Sequence, residues 1–423
     1  MDYLFIIQNK YSYDSIMTDI VFIITLCLGL IVWVEIVRDF YHILAHNWQA
    51  LYRFHNWHHR VFNSNFNPVS QEIYRKAHWY NDVPEALVMM FFGTIPVIIL
   101  WSFNVDYWWF AESGFFYSSF FLLGAIFRGS GLPNMDKITD LTHHPGQFSS
   151  LPAQWFINRP YHWRHHFDNQ KAYYSGTLAL VDKVMGTALS LKGKTVGVTG
   201  ASGTLGIEIL KILHLNQAKI VAFSSKNKSI TLDMNGYDLP VKTLIWEVGK
   251  EHELINELLK IDILIINHGI NVNSKRSIEF IKESYEVNTF SSCRLMELFF
   301  QTIKTNRDKA CKEVWINTSE AEVMPAFSPL YELSKRALGN LVTLRRLDAP
   351  CIVRKLILGP FKSKLNPIGI MSANWVAKQI IKNAKKDCRN IIVTINPVIF
   401  LIFPLKEFFQ SLYFKIFTYK NSN

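Results

Sequence analysis

Cysteine is scarce in this chain of 423 residues, and its few cysteines are far apart. No two of them form a C-x-x-C pair, which argues against a zinc ribbon, an iron–sulfur cluster and a disulfide framework. The pattern fits reduced chemistry facing the cytosol. The five positions are Cys27, Cys293, Cys311, Cys351 and Cys388.

Acidic residues are fewer than basic ones, and this imbalance is confined to the second half. Residues 1–190 contain 12 basic and 14 acidic side chains, whereas the rest of the chain contains 33 and 20. The basic half has no helix-turn-helix, zinc-finger or RNA-binding signature, so nucleic acid is not the expected partner. A membrane surface is the better interpretation of its positive charge.

Three apolar runs, at residues 16–37, 86–103 and 107–127, are near the ~20 residues that cross a bilayer. Basic residues follow the first and third runs, which predicts a cytoplasmic location for those segments. The N-terminus and the 102–108 loop would then lie outside, and every histidine of the first half on the cytoplasmic side. The alternative is that these runs are buried helices of a soluble core.

Eleven of the 14 histidines lie between His42 and His166, mostly in paired arrangements. An H-x-x-x-H pair is followed by an H-x-x-H-H box, a His-His pair and a second H-x-x-H-H box. Imidazole is a common ligand of iron and zinc, so we predict a binuclear metal site. His78 has no paired neighbour and is either structural or adjacent to the metals. The candidate ligands are His42, His46, His55, His58, His59, His143, His144, His162, His165 and His166, with the choice between His143 and His144 open.

In order and spacing these boxes resemble the fatty acid hydroxylase/sterol desaturase superfamily over about residues 20–185. The resemblance implies an all-α transmembrane domain whose histidines hold two metal ions, taken to be iron. It also implies that oxygen is activated to attack a C–H bond of a lipid. This chain departs from the family in having three clear spans rather than four, and His-Pro-Gly after the intermediate histidine, which leaves substrate and reaction type open.

Near Leu191 the composition changes, and a strand, a glycine-rich turn and a helix follow in that order. Such a turn lets the backbone approach a pyrophosphate at the positive end of a helix. We therefore predict a nucleotide site made by Gly200, Ser202, Gly203, Thr204, Leu205 and Gly206.

The next strand ends in Ser224-Ser225-Lys226, where an NAD enzyme would usually carry an acid. Hydroxyls and a lysine suit a 2′-phosphate, so NADP(H) is the predicted cofactor. Glu247 at the end of the third strand is expected to meet the adenine. The turn Asn267-His268-Gly269 follows a further strand and completes the predicted cofactor site with Gly359.

Tyr331 and Lys335 are four residues apart, so they share one face of a helix. A lysine cation lowers the pKa of a phenol, which can then exchange a proton with a substrate oxygen. Ser319, or Thr318, can orient that oxygen. With Asn288 the set resembles the short-chain dehydrogenase/reductase family over about residues 192–390. That resemblance implies a tetrad of Asn288, Ser319, Tyr331 and Lys335, a nicotinamide loop at Gly359-Pro360, and a Rossmann-fold domain. Two departures are His268 in place of the usual alanine and a short segment after the loop.

The predicted architecture is multidomain. It has a membrane-embedded helical domain (1–188), a doubly wound parallel α/β domain (189–392) and a hydrophobic tail (393–423). The tail contains PVIFLIFPL, too short to span, and is either interfacial or a buried last helix.

The predicted function is bifunctional lipid oxidation. A di-iron site would hydroxylate or desaturate a lipid, and an NADP(H) site would interconvert alcohol and carbonyl. No flavin or iron–sulfur signature is present to split a hydride into single electrons, so a separate electron donor such as a ferredoxin or cytochrome is expected. The alternatives are an anchored reductase with an inactive metal domain and a hydroxylase with an NADP-sensing domain.

Overall fold

The computed structural model describes residues 13–226, 228–234 and 236–419, and the chain divides into two compact units. The first is formed by the described residues of Met1–Gln147 and by Ala153–Asp182. The second contains Phe148–Pro152 and the described part of Lys183–Asn423. The functional boundaries at 188 and 393 stay predictions.

The first unit is entirely helical apart from isolated bridges. Its longest helix, α1, continues past the bilayer-length apolar run, so that His42 and His46 lie on its last turns. A π-helical turn at His78–Asp82 joins α3 to α4, and a 3-10 turn at Trp108–Glu112 precedes α5. The helices are α1 (Tyr13–Asn47), α2 (Gln49–Arg60), α3 (Gln71–Ala77), α4 (Val83–Ser102), α5 (Ser113–Ser130), α6 (Met135–Thr139), α7 (Arg159–Phe167) and α8 (Leu180–Met185).

Three helical segments are long and apolar enough to cross a membrane: Ile16–Asn47, Gln71–Ser102 and Trp108–Ser130. They match the three predicted runs, two of which extend one residue beyond a segment, and the number of candidate spans agrees with the prediction. Small residues let these helices approach closely, as is common in membranes. A Cβ atom on Gly114 of α5 would lie 3.1 Å from the Leu30 carbonyl oxygen of α1.

The second unit is built on an eight-stranded sheet in the order β3-β4-β2-β1-β5-β6-β7-β8. All neighbouring strands are parallel except β3 and β4. The prediction of a doubly wound parallel sheet is confirmed, but the antiparallel edge strand β3 was not predicted. The strands are β1 (Thr195–Thr199), β2 (Lys219–Ser224), β3 (Ile230–Asp233), β4 (Asp238–Ile245), β5 (Ile263–Ile266), β6 (Glu313–Asn317), β7 (Ile352–Leu358) and β8 (Asn390–Val393).

Helices cover both faces of this sheet, each over its own apolar core. Helices α9 and α15 pack on one face, and α12 and α14 on the other. In such a fold, ligands bind beyond the carboxyl ends of the strands where the strand order reverses. Here that point lies between β1 and β5. The helices are α9 (Thr204–Leu215), α10 (Ile255–Leu258), α11 (Ile278–Tyr285), α12 (Ser291–Phe300), α13 (Asn306–Cys311), α14 (Pro329–Arg345) and α15 (Ala373–Lys385).

A last helix, α16 (Ile399–Phe417), packs on the second unit through a narrow strip. Ile399 and Phe403 enter a small apolar cluster with Ile357 of β7. Glu407 of α16 accepts hydrogen bonds from Lys355 (2.8 Å) and Arg346 (2.9 Å). Most other large apolar side chains of α16 are exposed. The helix therefore combines features of both predicted alternatives, a packed last helix and an interfacial one.

Candidate functional site

Nine of the ten histidines predicted as ligands form two groups in the first unit. In each group, one nitrogen of every imidazole lies within 4.8 Å of one nitrogen of every other. The first group has five members and the second has four. The first consists of His42, His46, His55, His59 and His165, and the second of His58, His143, His162 and His166.

The sequence left open whether His143 or His144 is a ligand. In the structure, His143 belongs to the second group and His144 belongs to neither. His78 also lies outside both groups. Its Nδ1 contacts the Asp82 carboxylate at 2.6 Å, while its buried Nε2 has no hydrogen-bond partner among the described residues.

The first group has a hydrogen-bonding pattern that leaves its inner nitrogens without protons. The Nδ1 atoms of His42 and His165 face the carbonyl oxygens of Tyr174 (2.6 Å) and Ala172 (2.8 Å). A carbonyl oxygen only accepts, so both Nδ1 atoms must carry the proton and both neutral rings turn an Nε2 lone pair inward. These two Nε2 atoms are nevertheless 3.0 Å apart. Two acceptors at this distance repel each other unless a cation lies between them.

The second group is arranged in the same way. The Nδ1 of His143 contacts Asp140 Oδ1 at 2.5 Å, and its Nε2 is 2.9 Å from the Nε2 of His162. Histidine ligands commonly donate their other ring nitrogen to a carboxylate or carbonyl, which fixes the tautomer. The arrangement therefore matches that of metal-binding imidazoles.

Burial keeps these imidazoles neutral, as metal ligands must be. Desolvation, with neighbouring histidines, lowers the pKa of His165 to about 3. Desolvation also lowers the pKa of His55 to about 4, although the amide of Asn81 opposes it. The pKa values of His58, His162 and His166 are well below their usual range for the same reason.

This set of donors fits two transition-metal ions held entirely by nitrogen ligands. The sequence analysis did not identify the residues that orient the ligands. Asn81, whose Oδ1 is 2.7 Å from His55 Nδ1, and Asp140 are separated from their histidines by 26 and 3 positions. A carboxylate three residues before a predicted ligand was a usable signal; the carbonyls of residues 172 and 174 gave none.

In the second unit, the glycine-rich turn leaves room for a phosphate. Gly200 has a φ of +62°, a conformation that favours glycine. A Cβ atom on Gly206 would lie 2.4 Å from the Gly200 carbonyl oxygen, so the helix can start this close to the strand only with glycine there. Gly203 is the N-cap of α9, and Thr204 and Leu205 form its first turn. The predicted cradle is thus formed at a helix N-terminus, where anions are favoured.

The residues predicted for the 2′-phosphate lie at the end of β2, beside the cradle. The hydroxyl of Ser224 is 3.4 Å from that of Ser202, and the side chains of Ser225 and Lys226 are exposed. Two hydroxyls and an ammonium group can therefore reach one anion. Glu247, predicted to meet the adenine, forms an exposed ion pair with Lys250 (2.8 Å), and its contact with the adenine stays a prediction.

The Asn267-His268-Gly269 turn lies directly beneath the cradle. The Thr199 hydroxyl binds the backbone N–H of Asn267 (2.9 Å) and contacts His268 Nδ1 (2.9 Å). Burial lowers the pKa of His268 to about 3, so this imidazole is neutral. Gly269 is close to Asn288, whose Oδ1 would be 3.0 Å from a Cβ atom there.

The predicted tetrad is brought together at the carboxyl edge of the sheet. Ser319 follows β6, and its side chain interacts with the hydroxyl of Tyr331 on α14. One turn later, Lys335 donates to the Asn317 carbonyl oxygen (2.8 Å). Asn288, in a π-helical turn at Glu286–Phe290, accepts from the Ile270 N–H (2.8 Å).

Burial shifts the pKa values of both proton-carrying groups. It raises the pKa of Tyr331, and the interaction with the Ser319 side chain opposes this. It lowers the pKa of Lys335 to about 8, while the carboxylate of Glu322 acts in the opposite direction. A tyrosine between a serine hydroxyl and a lysine whose pKa is about 8 is equipped to move a proton to or from a substrate hydroxyl.

Glu320 is a residue of this site that sequence analysis missed. Its Oε2 is buried without a hydrogen-bond partner among the described residues. The same oxygen would be 2.7 Å from a Cβ atom on Gly359, so it lies beside the predicted nicotinamide loop. The preceding residue, Ser319, has a φ of +76°, and strained backbone of this kind is concentrated at functional sites. The sequence signal was only its position after the serine.

Comparison with known proteins identifies solved structures similar to part of the chain and a relative similar to nearly all of it. No family profile matches the chain. The second unit is similar to a short chain dehydrogenase from Burkholderia cenocepacia in complex with NADP, at 16% identity over 55% of this chain and 100% of that one, with a TM-score of 0.43. An alcohol dehydrogenase from Thermococcus sibiricus complexed with 5-hydroxy-NADP is 18% identical over 48% of this chain and 96% of that one, with a TM-score of 0.40.

A monoglucosyldiacylglycerol epimerase from Synechocystis sp. is 60% identical to this chain over 400 residues. The alignment covers 94% of this chain and 98% of that protein, so it includes both units. The apolar helices and the two histidine groups are consistent with the hydroxylase-like resemblance of the first half. By identity and coverage, the chain belongs to the monoglucosyldiacylglycerol epimerase family.

Proposed function

We propose that this protein is an NADP-dependent epimerase that acts on the glucosyl headgroup of a diacylglycerol lipid. The observation that carries the proposal is the Ser319–Tyr331–Lys335 arrangement beside a nucleotide cradle, in a chain 60% identical to an epimerase of that lipid. Epimerisation inverts one carbinol carbon, and oxidation to a ketone followed by reduction from the opposite side achieves this without net redox change.

The residues of the site suit both half-reactions. In the first, Tyr331 takes the proton of the sugar hydroxyl as the C–H hydrogen leaves with its electron pair. In the second, the same hydroxyl returns the proton to the ketone oxygen. Ser319 orients that oxygen, and Lys335 stabilises the phenolate by its charge. When bound, NADP would accept the hydride in the first half-reaction and give it back in the second.

The cofactor would be held by the glycine turn and the end of β2. The cradle between Gly200 and Gly206 accepts the pyrophosphate, and Ser224, Ser225 and Lys226 accept the 2′-phosphate. The pair of serines and the lysine favours NADP over NAD, because no carboxylate at this position receives the ribose hydroxyls.

Glu320 supports a sugar as the substrate. A buried carboxylate oxygen without a donor is costly unless a ligand supplies one. A hexose has several hydroxyl donors, and the reacting carbon must be one of the three ring carbons that carry a free hydroxyl. The carboxylate next to Ser319 would accept from a hydroxyl adjacent to the reacting one.

Exchange of Tyr331 for Phe tests the proposal. The full-length protein, in vesicles containing glucosyldiacylglycerol, should lose headgroup epimerisation by several orders of magnitude and still bind NADP. The products are released by hydrolysis and identified by sugar analysis, which also reports the carbon inverted. Tyr237→Phe, on the exposed edge hairpin, is the matched control and should retain full activity. Epimerisation that survives in Tyr331→Phe contradicts the proposal.

The two histidine groups favour a second candidate reaction at the other unit. Metal ions held there would supply oxygen activation, and this would hydroxylate or desaturate a lipid with electrons from a separate donor such as a ferredoxin or cytochrome. The inward lone pairs of His42 and His165 are the observation that supports it. The measurement is metal content per chain, together with oxygen uptake and the mass of the lipid acyl chains. Fewer than about one metal ion per chain, or no change in the lipid mass, rejects this second reaction and leaves the epimerase proposal intact.

We also propose an orientation for the protein. Arg38 follows the apolar run of the first candidate span, Arg53 and Arg60 follow the span itself, and Arg128 closes the third, so these ends belong on the cytoplasmic side. Both candidate sites would then act at the cytoplasmic leaflet. Protease accessibility of the C-terminal half in sealed vesicles of known sidedness is the corresponding test.

A further inference from the structure

The exposed side of α16 is apolar along its whole length. Phe408 and Phe409 are each 63% exposed, and Ile416 and Phe417 are 64% and 70% exposed. A continuous apolar face of this size rarely stays in water on a soluble domain. The other exposed apolar side chains of this helix are Phe400, Leu401, Ile402, Leu405, Leu412 and Tyr413.

The charges of α16 are distributed as at a lipid surface. Its only acid, Glu407, is turned inward and bound to Lys355 and Arg346. Its two lysines are Lys406, paired with Glu322 at 2.8 Å, and Lys415. The exposed side therefore presents aromatic and aliphatic groups with positive charge and no negative charge, as interfacial helices do.

Two exposed segments that adjoin residues of the Tyr331 site along the chain have the same character, and we call them the rim. Phe327, between Ser319 and Tyr331, is 98% exposed, and Ile368 and Ile370, in the segment after Gly359-Pro360, are 90% and 73% exposed. Two lysines, Lys362 and Lys364, lie in that segment.

The helix and the rim are adjacent in the fold. Val323 and Met324 pack against the cluster that contains Ile399 and Phe403 of α16. They precede Phe327 by four and three residues in the chain. Thr394 follows β8 and precedes the start of α16 by five residues. Its hydroxyl would be 2.5 Å from a Cβ atom on Gly359, which leads into the second rim segment. The start of α16 therefore lies at the edge of the sheet that carries the catalytic residues.

We propose that the apolar side of α16 and the rim residues Phe327, Ile368 and Ile370 form one surface that docks on an anionic lipid bilayer. This deepens the proposed function and rests on it, since a docked rim lets a lipid headgroup enter the Tyr331 site while its acyl chains remain in the membrane. The occupant is the bilayer rather than a second copy of the chain, because the surface combines lysines with aromatic residues and has no exposed acid to pair with the lysines of a partner copy.

The test uses nitroxide labels on the full-length protein in nanodiscs of phosphatidylcholine and phosphatidylglycerol. Labels are placed at Phe409→Cys, Ile368→Cys and, as control, Lys382→Cys on α15, which packs on the opposite face of the sheet. The partly accessible native Cys27, Cys293 and Cys388 are replaced by Ala beforehand. Collision with oxygen, which concentrates in lipid, is compared with collision with a water-soluble nickel chelate.

Oxygen collisions should dominate at Phe409→Cys and Ile368→Cys, and nickel collisions at Lys382→Cys. Dominant nickel collisions at Phe409→Cys would overturn the proposal. Low collision rates with both reagents, together with spin–spin broadening, would identify an interface between copies and overturn it as well. Nickel-dominated collisions at Ile368→Cys alone would overturn the participation of the rim.

A double variant connects the surface to activity. Phe408→Glu with Phe409→Glu should lower turnover of the lipid in nanodiscs and leave NADP affinity unchanged, whereas Leu215→Glu on α9 should alter neither. Unchanged turnover in the double variant would show that docking is not needed. The label measurements do not depend on turnover, so an inactive wild-type protein would refute the proposed function without deciding the docking.

Discussion

Among single residues, Lys335 has the most informative ionisation. Burial lowers its pKa to about 8 from an ordinary value of 10.5, so the ammonium loses its proton as the pH rises through about 8. Below that pH the charge is present and can stabilise the Tyr331 phenolate and hold a nicotinamide ribose. The charge that the site requires is therefore available at neutral pH and lost in mild alkali.

We predict that kcat/KM for the glucosyl lipid, measured with NADP present, falls as the pH rises through about 8. In Lys335→Arg, whose guanidinium stays protonated, the normalised profile should keep its plateau to a higher pH. Initial rates over a pH range of about 6 to 10 give both profiles. The same alkaline limb in the two proteins would assign the ionisation to another group.

Asp140 is the second residue with a specific expected effect, because its carboxylate fixes the His143 ring. In Asp140→Asn, metal affinity should fall by about 10–100-fold, the usual result of removing such a partner. Metal content after dialysis against a graded series of chelator concentrations provides the measurement. Asp136→Asn on α6 is the control, since that carboxylate has no described contact with a ligand histidine, and equal retention in both variants would contradict the assignment.

At the scale of elements, the helices and strands predicted from the sequence agree with the structure where a local pattern determines them. Apolar runs predicted the three long helices, and the strand–turn–helix pattern around Gly200 predicted the start of the doubly wound sheet. The antiparallel strand β3 was missed, because Ile230–Asp233 is only four residues long and its pairing with β4 is a tertiary contact.

The division of the histidines into two groups could not be predicted either. His58 and His59 are neighbours in one box, yet they belong to different groups, and so do His165 and His166. Adjacent residues on a helix point about 100° apart, so one helix can serve both groups. Which imidazole joins which group depends on how α1, α2 and α7 pack, and spacing contains no information on that.

The turn that starts α9 leads to a prediction for an element. In Gly206→Ala the added methyl group would lie 2.4 Å from the Gly200 carbonyl oxygen, so the turn must open and NADP binding should fall by at least about tenfold. Titration calorimetry on the purified full-length protein provides the measurement. Gly29→Ala on α1, where a Cβ atom meets nothing within 4 Å, should bind NADP normally. Normal affinity in Gly206→Ala would remove the turn from the binding site.

For the whole molecule, the two proposed reactions differ in their need for oxygen: the reaction at the histidine groups would consume it, and epimerisation would not. Oxidation and reduction at one carbon cancel, so we predict that headgroup epimerisation proceeds without oxygen, without an electron donor and with catalytic amounts of NADP. Turnover in an anaerobic chamber, before and after metal removal, provides the measurement. Loss of epimerisation under either condition would mean that the histidine groups take part in it.

The fixed position of the tetrad has a consequence for how a sugar must move. Tyr331 and Ser319 interact through their side chains, and Lys335 is bonded to the backbone, so the tetrad has one fixed geometry. In the proposed reaction the nicotinamide would also keep one side of the site, and the hydride would return from the side on which it left. An inverted carbon then requires that the ring itself turns over between the half-reactions. A headgroup tethered to two acyl chains can do so only by swivelling about its glycosidic linkage, which gives this site an unusual requirement. In the proposed reaction the site must bind the ring twice, with opposite faces of the reacting carbon towards the nicotinamide, and must release the ring in between without letting the ketone escape.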